Sequence, residues 1–135
     1  MFVKTKTLRT TKYNCFIDIT HLVEQVVKES NINNGQVMVF IPHTTAAVTI
    51  NENADDDVVT DMVYGLSKMV PDDASFRHLE GNSVSHIKAS IIGPSITVIV
   101  QNNQLLLGTW QGVYFCEFDG PRERIIHMQV IGSAS

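Results

Sequence analysis

Between Ile96 and Ile131 the chain repeats one pattern: an apolar or alternating run, a turn dipeptide, and another run. The runs are residues 96–100, 104–108, 112–119 and 122–131, and the dipeptides are Asn102-Asn103 and Asp119-Gly120. Asn, Asp and Gly tolerate the positive φ that two-residue hairpin turns need. The spacing therefore predicts four strands and two hairpins, and it confines the fold to those with antiparallel sheet.

The N-terminal half adds helices. Residues 2–12 alternate and give a first strand; residues 15–19 give a second. Thr20 is placed as the cap of a helix in which Leu22, Val23, Val26 and Val27 recur at helical spacing, and Asn33-Asn34-Gly35 closes the unit. Residues 36–41 form a continuous apolar run, predicted as a strand buried on both faces. Pro42 interrupts it, and residues 46–50 read as its continuation or its neighbour. Asn53 is placed as the next cap, with Asp55, Asp56 and Asp57 in a first turn where the macrodipole favours them. Val58, Val59, Met62, Val63, Leu66, Met69 and Val70 make that helix's stripe. Residues 71–82 are predicted as a loop long enough to carry function. Ser83 then caps a short helix with Val84, Ile87 and Ile91 inward and Gly93 as terminator. The mixed order, β-rich at both ends, is that of an α+β domain. At 135 residues the chain forms one domain, 1–135.

Charge and composition exclude several functions. A formal net charge of −4 gives no basic footprint for nucleic acid. With 44% hydrophobic and 18% charged residues the chain is globular rather than disordered. No apolar run approaches the ~20 residues of a membrane span, and the first residues lack a signal peptide's features. Cys15 and Cys116 make no disulfide framework, so a reduced, cytoplasmic protein with no nucleic-acid or membrane partner is expected.

Five clusters could carry chemistry, and each has an ordinary structural reading. His43-Thr44-Thr45 at a strand exit places an imidazole and two hydroxyls at a cleft, or is merely a Thr-rich turn. Asp57 and Asp61 share a helix face and could meet a hard cation, although acidic residues at a helix start need no such reason. His78, Glu80, Asn82 and His86 crowd together beside Gly81; they suit metal ligation or acid–base work, without matching a standard metal signature. Trp110 and Gln111 sit between Gly108 and Gly112, where a ligand can approach closely. On the strand that follows, Tyr114, Cys116 and Phe118 share one face and Val113, Phe115 and Glu117 the other. Cys116 reads as a buried apolar residue, whereas Glu117 must be paired, ligated or protonated. Arg122 and Arg124 project to one face of the last strand; two guanidiniums suit a phosphate, or guard an exposed edge.

Taken together, His43-Thr-Thr-Ala-Ala, His78-x-Glu80-Gly81-Asn82, His86, Leu107-Gly108-Thr109-Trp110-Gln111 and Asp119-Gly-Pro-Arg122-x-Arg124 resemble the YjbQ family, from about residue 5 to residue 132. The resemblance implies two packed, mostly antiparallel β-sheets with flanking helices, assembled as a homotrimer. It also implies a weak secondary thiamine-phosphate synthase activity, joining a phosphorylated thiazole to a pyrimidine pyrophosphate with loss of pyrophosphate. Motif membership carries over to His43, His78, Glu80, His86, Trp110, Gln111, Arg122 and Arg124.

The resulting expectation is an enzyme in which His43, His78 and His86 converge on one cleft with Glu80 or Glu117 beside them. Thr44, Thr45 and Asn82 would line it, Trp110 and Gln111 would meet a heteroaromatic ring, and Arg122 and Arg124 would hold the phosphate of a small substrate. A divalent metal, Mg or Zn, would assist, with His43, His78 and His86 as ligands. Two rivals stand beside it: a metal-dependent hydrolase or lyase using the three histidines, and a non-catalytic trimeric ligand-binding protein.

Overall fold

The computed structural model describes residues 1–135. In chain order the elements are β1 (Phe2–Arg9), β2 (Cys15–Asp18), α1 (Thr20–Ser30), β3 (Asn34–Phe40), β4 (Ala46–Glu52), α2 (Asp56–Met69), α3 (Ser83–Ile92), β5 (Ser95–Gln101), β6 (Gln104–Leu105), β7 (Gln111–Glu117) and β8 (Glu123–Ser133). They build two antiparallel sheets: five strands ordered β1-β8-β3-β5-β6, and three ordered β2-β7-β4. The expected α+β architecture of two packed sheets with flanking helices is present.

The main core lies between the sheets. Val37, Val39 and Ile41 face it from β3 and its exit, Ile126, Met128 and Val130 from β8, and Val113 and Phe115 from β7. Helix α1 closes one end with Val23, Val26 and Val27, all fully buried as their spacing predicts. Each such valine contributes about 1.5–3 kcal/mol by burial. A second cluster, Ala47, Leu66, Ala89, Tyr114, Cys116 and Phe118, holds α2 and α3 against the other face of the small sheet. Cys116 is buried and Cys15 half-buried, both as free thiols.

Several local expectations are corrected. The run at residues 36–41 is buried on one face only: Met38 and Phe40 stay exposed because nothing in the chain covers the outer face of the large sheet. Residues 46–50 neither continue nor pair with β3; they cross to the other sheet. Asp119-Gly120 likewise closes no hairpin, since β7 and β8 belong to different sheets. Asn102-Asn103 does turn β5 into β6 with both residues at positive φ, but β6 ends at Leu105. The first helix ends earlier than Asn33-Asn34-Gly35, with Asn31 left-handed at φ 56°.

Thr20 is the first helical residue rather than a cap, because Asp18 Oδ1 accepts from its amide at 2.9 Å. Asp55, not Asn53, caps α2 by accepting from Asp57 N, and Met69 of the expected stripe is exposed. Asn82, not Ser83, precedes α3. Helix α3 is also rotated from expectation: Ser85, Lys88 and Ala89 face inward while Ile87 and Ile91 face out. No helix is long and apolar enough to cross a membrane.

Candidate functional site

Two of the connections that cross between the sheets lie together at one end of the molecule. The β3 chain leaves the large sheet through Ile41–Thr45, and the β7 chain leaves the small one through Phe118–Arg122. They are stitched together by Phe118 N donating to the Thr45 carbonyl at 3.1 Å. The N-terminal segment joins them, with Thr10 N donating to the Arg122 carbonyl and Gly120 N to that of Tyr13. A side chain at Gly120 would overlap the Lys12 carbonyl oxygen, so this close approach requires glycine.

Beneath the crossings lies a buried ion pair. Arg124 is 2% exposed and Glu117 fully buried. Arg124 Nε donates to Glu117 Oε1 at 2.8 Å and Nη2 to Glu117 Oε2. The same Nη2 donates to Thr45 Oγ1 at 2.9 Å and to the Thr45 carbonyl at 3.2 Å. Glu117 also accepts from Thr10 Oγ1 at 2.7 Å and from Asp119 N at 3.0 Å. Burial alone would raise the Glu117 pKa, but the hydrogen bonds from Arg124, Thr10 and the Asp119 amide outweigh it and hold the carboxyl below its ordinary value. These three side chains, Glu117, Arg124 and Thr45, are committed to one another. The carboxylate expected to be catalytic and the arginine expected to bind phosphate at these positions are, within one chain, buried and engaged in this pair.

His43 sits directly above. Its Nε2 accepts from the Ile125 amide at 2.8 Å. The last β3–β8 register pair is Phe40 with His127, so Ile125 lies past the end of that ladder and the imidazole replaces the missing strand. A ring nitrogen that accepts carries no proton, so the ring is neutral with its proton on Nδ1. Burial, and then the positive charge of Arg124, lower the His43 pKa and keep it so.

His43 and His86 line the same cleft, of about 340 Å³, together with Thr44, Ala46, Ser90 and Pro94. His78 meets the edge of His86, ring centroids 5.3 Å apart and nearly perpendicular. Glu80 lies outside the cleft on the exposed loop, 3.9 Å from His78 Nε2. The three histidines are thus brought to one region, two in the cleft and one behind His86. No three His, Cys, Asp or Glu side chains form a ligand set for a metal ion, and no carboxylate lines the cleft. Within one chain the donors do not fit the expected three-His centre, nor Mg²⁺, which favours oxygen ligands.

Arg122 precedes β8 and does not share a face with Arg124. It turns back so that its Nη2 donates to Asp119 Oδ2 at 3.1 Å, and it remains half-exposed. Asn82 Nδ2 donates to the same Asp119 oxygen at 2.9 Å. Trp110 and Gln111 stand apart from all of this: Gln111 lies six residue steps from Glu117 along β7, roughly 20 Å at strand rise. Trp110 is exposed there, and Gln111 Oε1 accepts from Gly108 N. One chain therefore does not bring the tryptophan to the histidine cleft.

Comparison with known proteins follows the same architecture. The family model described as UPF0047 protein YjbQ-like matches residues 4–133. The chain belongs to the YjbQ/UPF0047 family. It is 48% identical over 131 residues to the UPF0047 protein YugU of Bacillus subtilis, covering 96% of this chain and 99% of that one. It is 46% identical to a UPF0047 protein of Methanocaldococcus jannaschii, over 93% of this chain and 91% of the other. Among solved structures, an uncharacterized YjbQ/UPF0047 protein of Clostridium acetobutylicum superposes with a TM-score of 0.92 at 50% identity, covering 95% and 99% of the two chains. A YbjQ-like protein of unknown function from Sulfolobus solfataricus gives 0.93 at 30% identity, covering 98% and 97%.

For this YjbQ-family chain, sequence reasoning missed residues that build the site from below. Asp119 joins Asn82 to Arg122, and its place in the Asp-Gly-Pro-Arg motif was the available signal. Ser85 donates to the Phe118 carbonyl and so fixes α3 to the second crossing. Thr10 is buried against Glu117, and nothing in the Thr10-Thr11 pair marks it out before the fold is known.

Proposed function

We propose that the protein is a small transferase of the secondary thiamine-phosphate synthase type, with its reaction centred on the His43–His86 cleft. The observation that carries this is the pairing of a half-buried neutral imidazole with a second imidazole across one cleft. The neutral ring, its Nε2 held by the Ile125 amide, can donate a hydrogen bond from Nδ1 to charge that develops on a substrate, and His86 across the cleft is the candidate acid–base group. Thr44 offers a hydroxyl at the mouth. Arg122 is the guanidinium still half-exposed beside His43, and it is the candidate for a phosphate of the substrate. Family resemblance supplies the substrate class: a phosphorylated thiazole and a pyrimidine pyrophosphate, joined by a new carbon–nitrogen bond as pyrophosphate leaves. The test is pyrophosphate release by untagged protein given both substrates. Release that requires both would support the reading; release from the pyrimidine pyrophosphate alone would replace it with a hydrolase.

The homotrimer belongs to the same proposal. On the outer face of the large sheet, Val3 of β1, Met38 and Phe40 of β3, Ile99 of β5 and Ile125 and Ile131 of β8 are exposed on adjacent strands. Gln129 and His127 of β8 lie among them on the same face, and exposed apolar residues grouped on one sheet face in this way suit an association surface. The number three comes from the family resemblance. Phe40→Glu is expected to shift the wild-type assembly to a smaller species in light scattering, with the melting transition retained. A wild-type monomer at micromolar concentration would remove this part of the proposal.

A further inference from the structure

We infer that Lys88 is a carbonyl-reactive amine in a second cleft, which takes a short hydroxylated aldehyde or ketone as a Schiff base. This cleft holds about 260 Å³ and lies on the other flank of α3 from the histidines. Val84 and Lys88, one turn apart, face it, while His86 and Ser90 face the first cleft. Tyr13, Asn14, Ser67 and Asp72 complete the walls that matter here.

Lys88 is 3% exposed, and none of the ion pairs of this chain includes it. Its Nζ donates one hydrogen bond, to Ser67 Oγ at 2.9 Å, and lies 5.8 Å from the Phe118 ring centroid. A buried ammonium with no carboxylate at ion-pair distance is costly, so the environment favours the free amine. Burial lowers the Lys88 pKa accordingly. A desolvated lysine of this kind is the usual nucleophile toward carbonyls.

A second observation defines the ligand. Asn14 lines the same cleft, and its Oδ1 is buried and has no hydrogen-bond partner. Buried acceptors are nearly always satisfied, so an unspent one is a place for a ligand hydroxyl. Asp72 adds a negative charge to the wall, which favours an uncharged ligand over a phosphorylated one.

In the reaction Nζ adds to the carbonyl carbon, forming the C–N bond, while the C=O π pair moves to oxygen and takes up a proton. Nitrogen gives up one proton as the carbinolamine forms and its second as the C=N bond forms, the hydroxyl leaves as water with that second proton, and the imine remains. Amine and carbonyl give imine and water, with no oxidant or reductant.

Glycolaldehyde with cyanoborohydride at neutral pH, followed by peptide mapping of the intact wild-type protein, tests this. Hydride reduces the imine and fixes the label. Lys88 is expected to be labelled roughly tenfold faster than the exposed Lys12 or Lys68, because more of it is free amine. Acetaldehyde, lacking the hydroxyl, should label it more slowly, and Asn14→Ala should erase that difference. Labelling confined to the exposed lysines would overturn the inference. Equal labelling of Lys88 by both aldehydes would overturn the hydroxylated ligand. Lys88→Arg, checked by its melting curve, should remove the fast label while retaining the fold.

Discussion

Arg124→Ala is expected to destabilise the protein by ~3–5 kcal/mol, the cost of leaving a buried carboxylate without its cation. Glu117 would keep Thr10 and the Asp119 amide but lose both guanidinium bonds, and Thr45 would lose its only side-chain donor. Glu117→Gln reverses the imbalance and should cost an amount of the same order. The double variant Glu117→Gln, Arg124→Met should recover part of the loss, since removing both charges is milder than removing one. Urea unfolding midpoints at constant slope would measure all three. A fall in ligand affinity with unchanged stability would instead return Arg124 to phosphate binding.

The same pair sets a response to acid. The folded pKa of Glu117 lies below its ordinary value, so the unfolded chain takes up the proton first as pH falls. The stability it contributes is complete above the ordinary carboxylate range, near ~4.3, and is lost as pH drops through the folded value. His43 adds a loss at higher pH with the same sign. Its folded pKa is also lowered, so its contribution is present above ~6.5 and declines as pH falls from there toward the folded value.

His86→Ala is expected to lower turnover in the pyrophosphate-release assay by about 10²–10⁴-fold, the usual contribution of an acid–base group. Its ring lines the cleft and donates to no backbone group, so the melting transition should barely move. His43→Ala should lose activity to a similar extent but also free the Ile125 amide, costing about 0.5–1.5 kcal/mol. Wild-type activity should decline as pH falls through the lowered pKa of His43, because the doubly protonated ring loses its grip on that amide. Wild-type turnover in both variants would move the reaction elsewhere in the molecule.

Much of this fold is legible in residue spacing. The period of two in β8, with Ile126, Met128 and Val130 inward, and the helical stripe of α1 are both local, and burial follows them. Sheet membership is not local. Pro42–Thr45 and Phe118–Arg122 look like turns because they are turns, but the sequence beside them does not encode which strand comes next. Helix α3 fails for another reason: its inward face is held by Ser85 and Lys88 through hydrogen bonds, so its isoleucines are poor guides. The site shows the same division. The motifs around His43, His78 and His86 mark residues that do assemble, whereas the Trp110 motif and the arginine pair carry residue types without their positions. Buried commitment of Glu117 to Arg124 becomes visible only once β7 and β8 are known to run in different sheets.

A sheet normally ends its ladder with a water or a neighbouring strand, neither of which titrates near neutrality. Here one rung of β8 is held by an imidazole. Backbone order at that point is therefore wired to a side-chain proton, and the wire can be read without substrate, label or mutation. In a nitrogen–proton NMR spectrum the Ile125 cross-peak should shift with the protonation of a ring on a different strand connection. The protein thus carries its own indicator for the histidine on which the proposed chemistry turns.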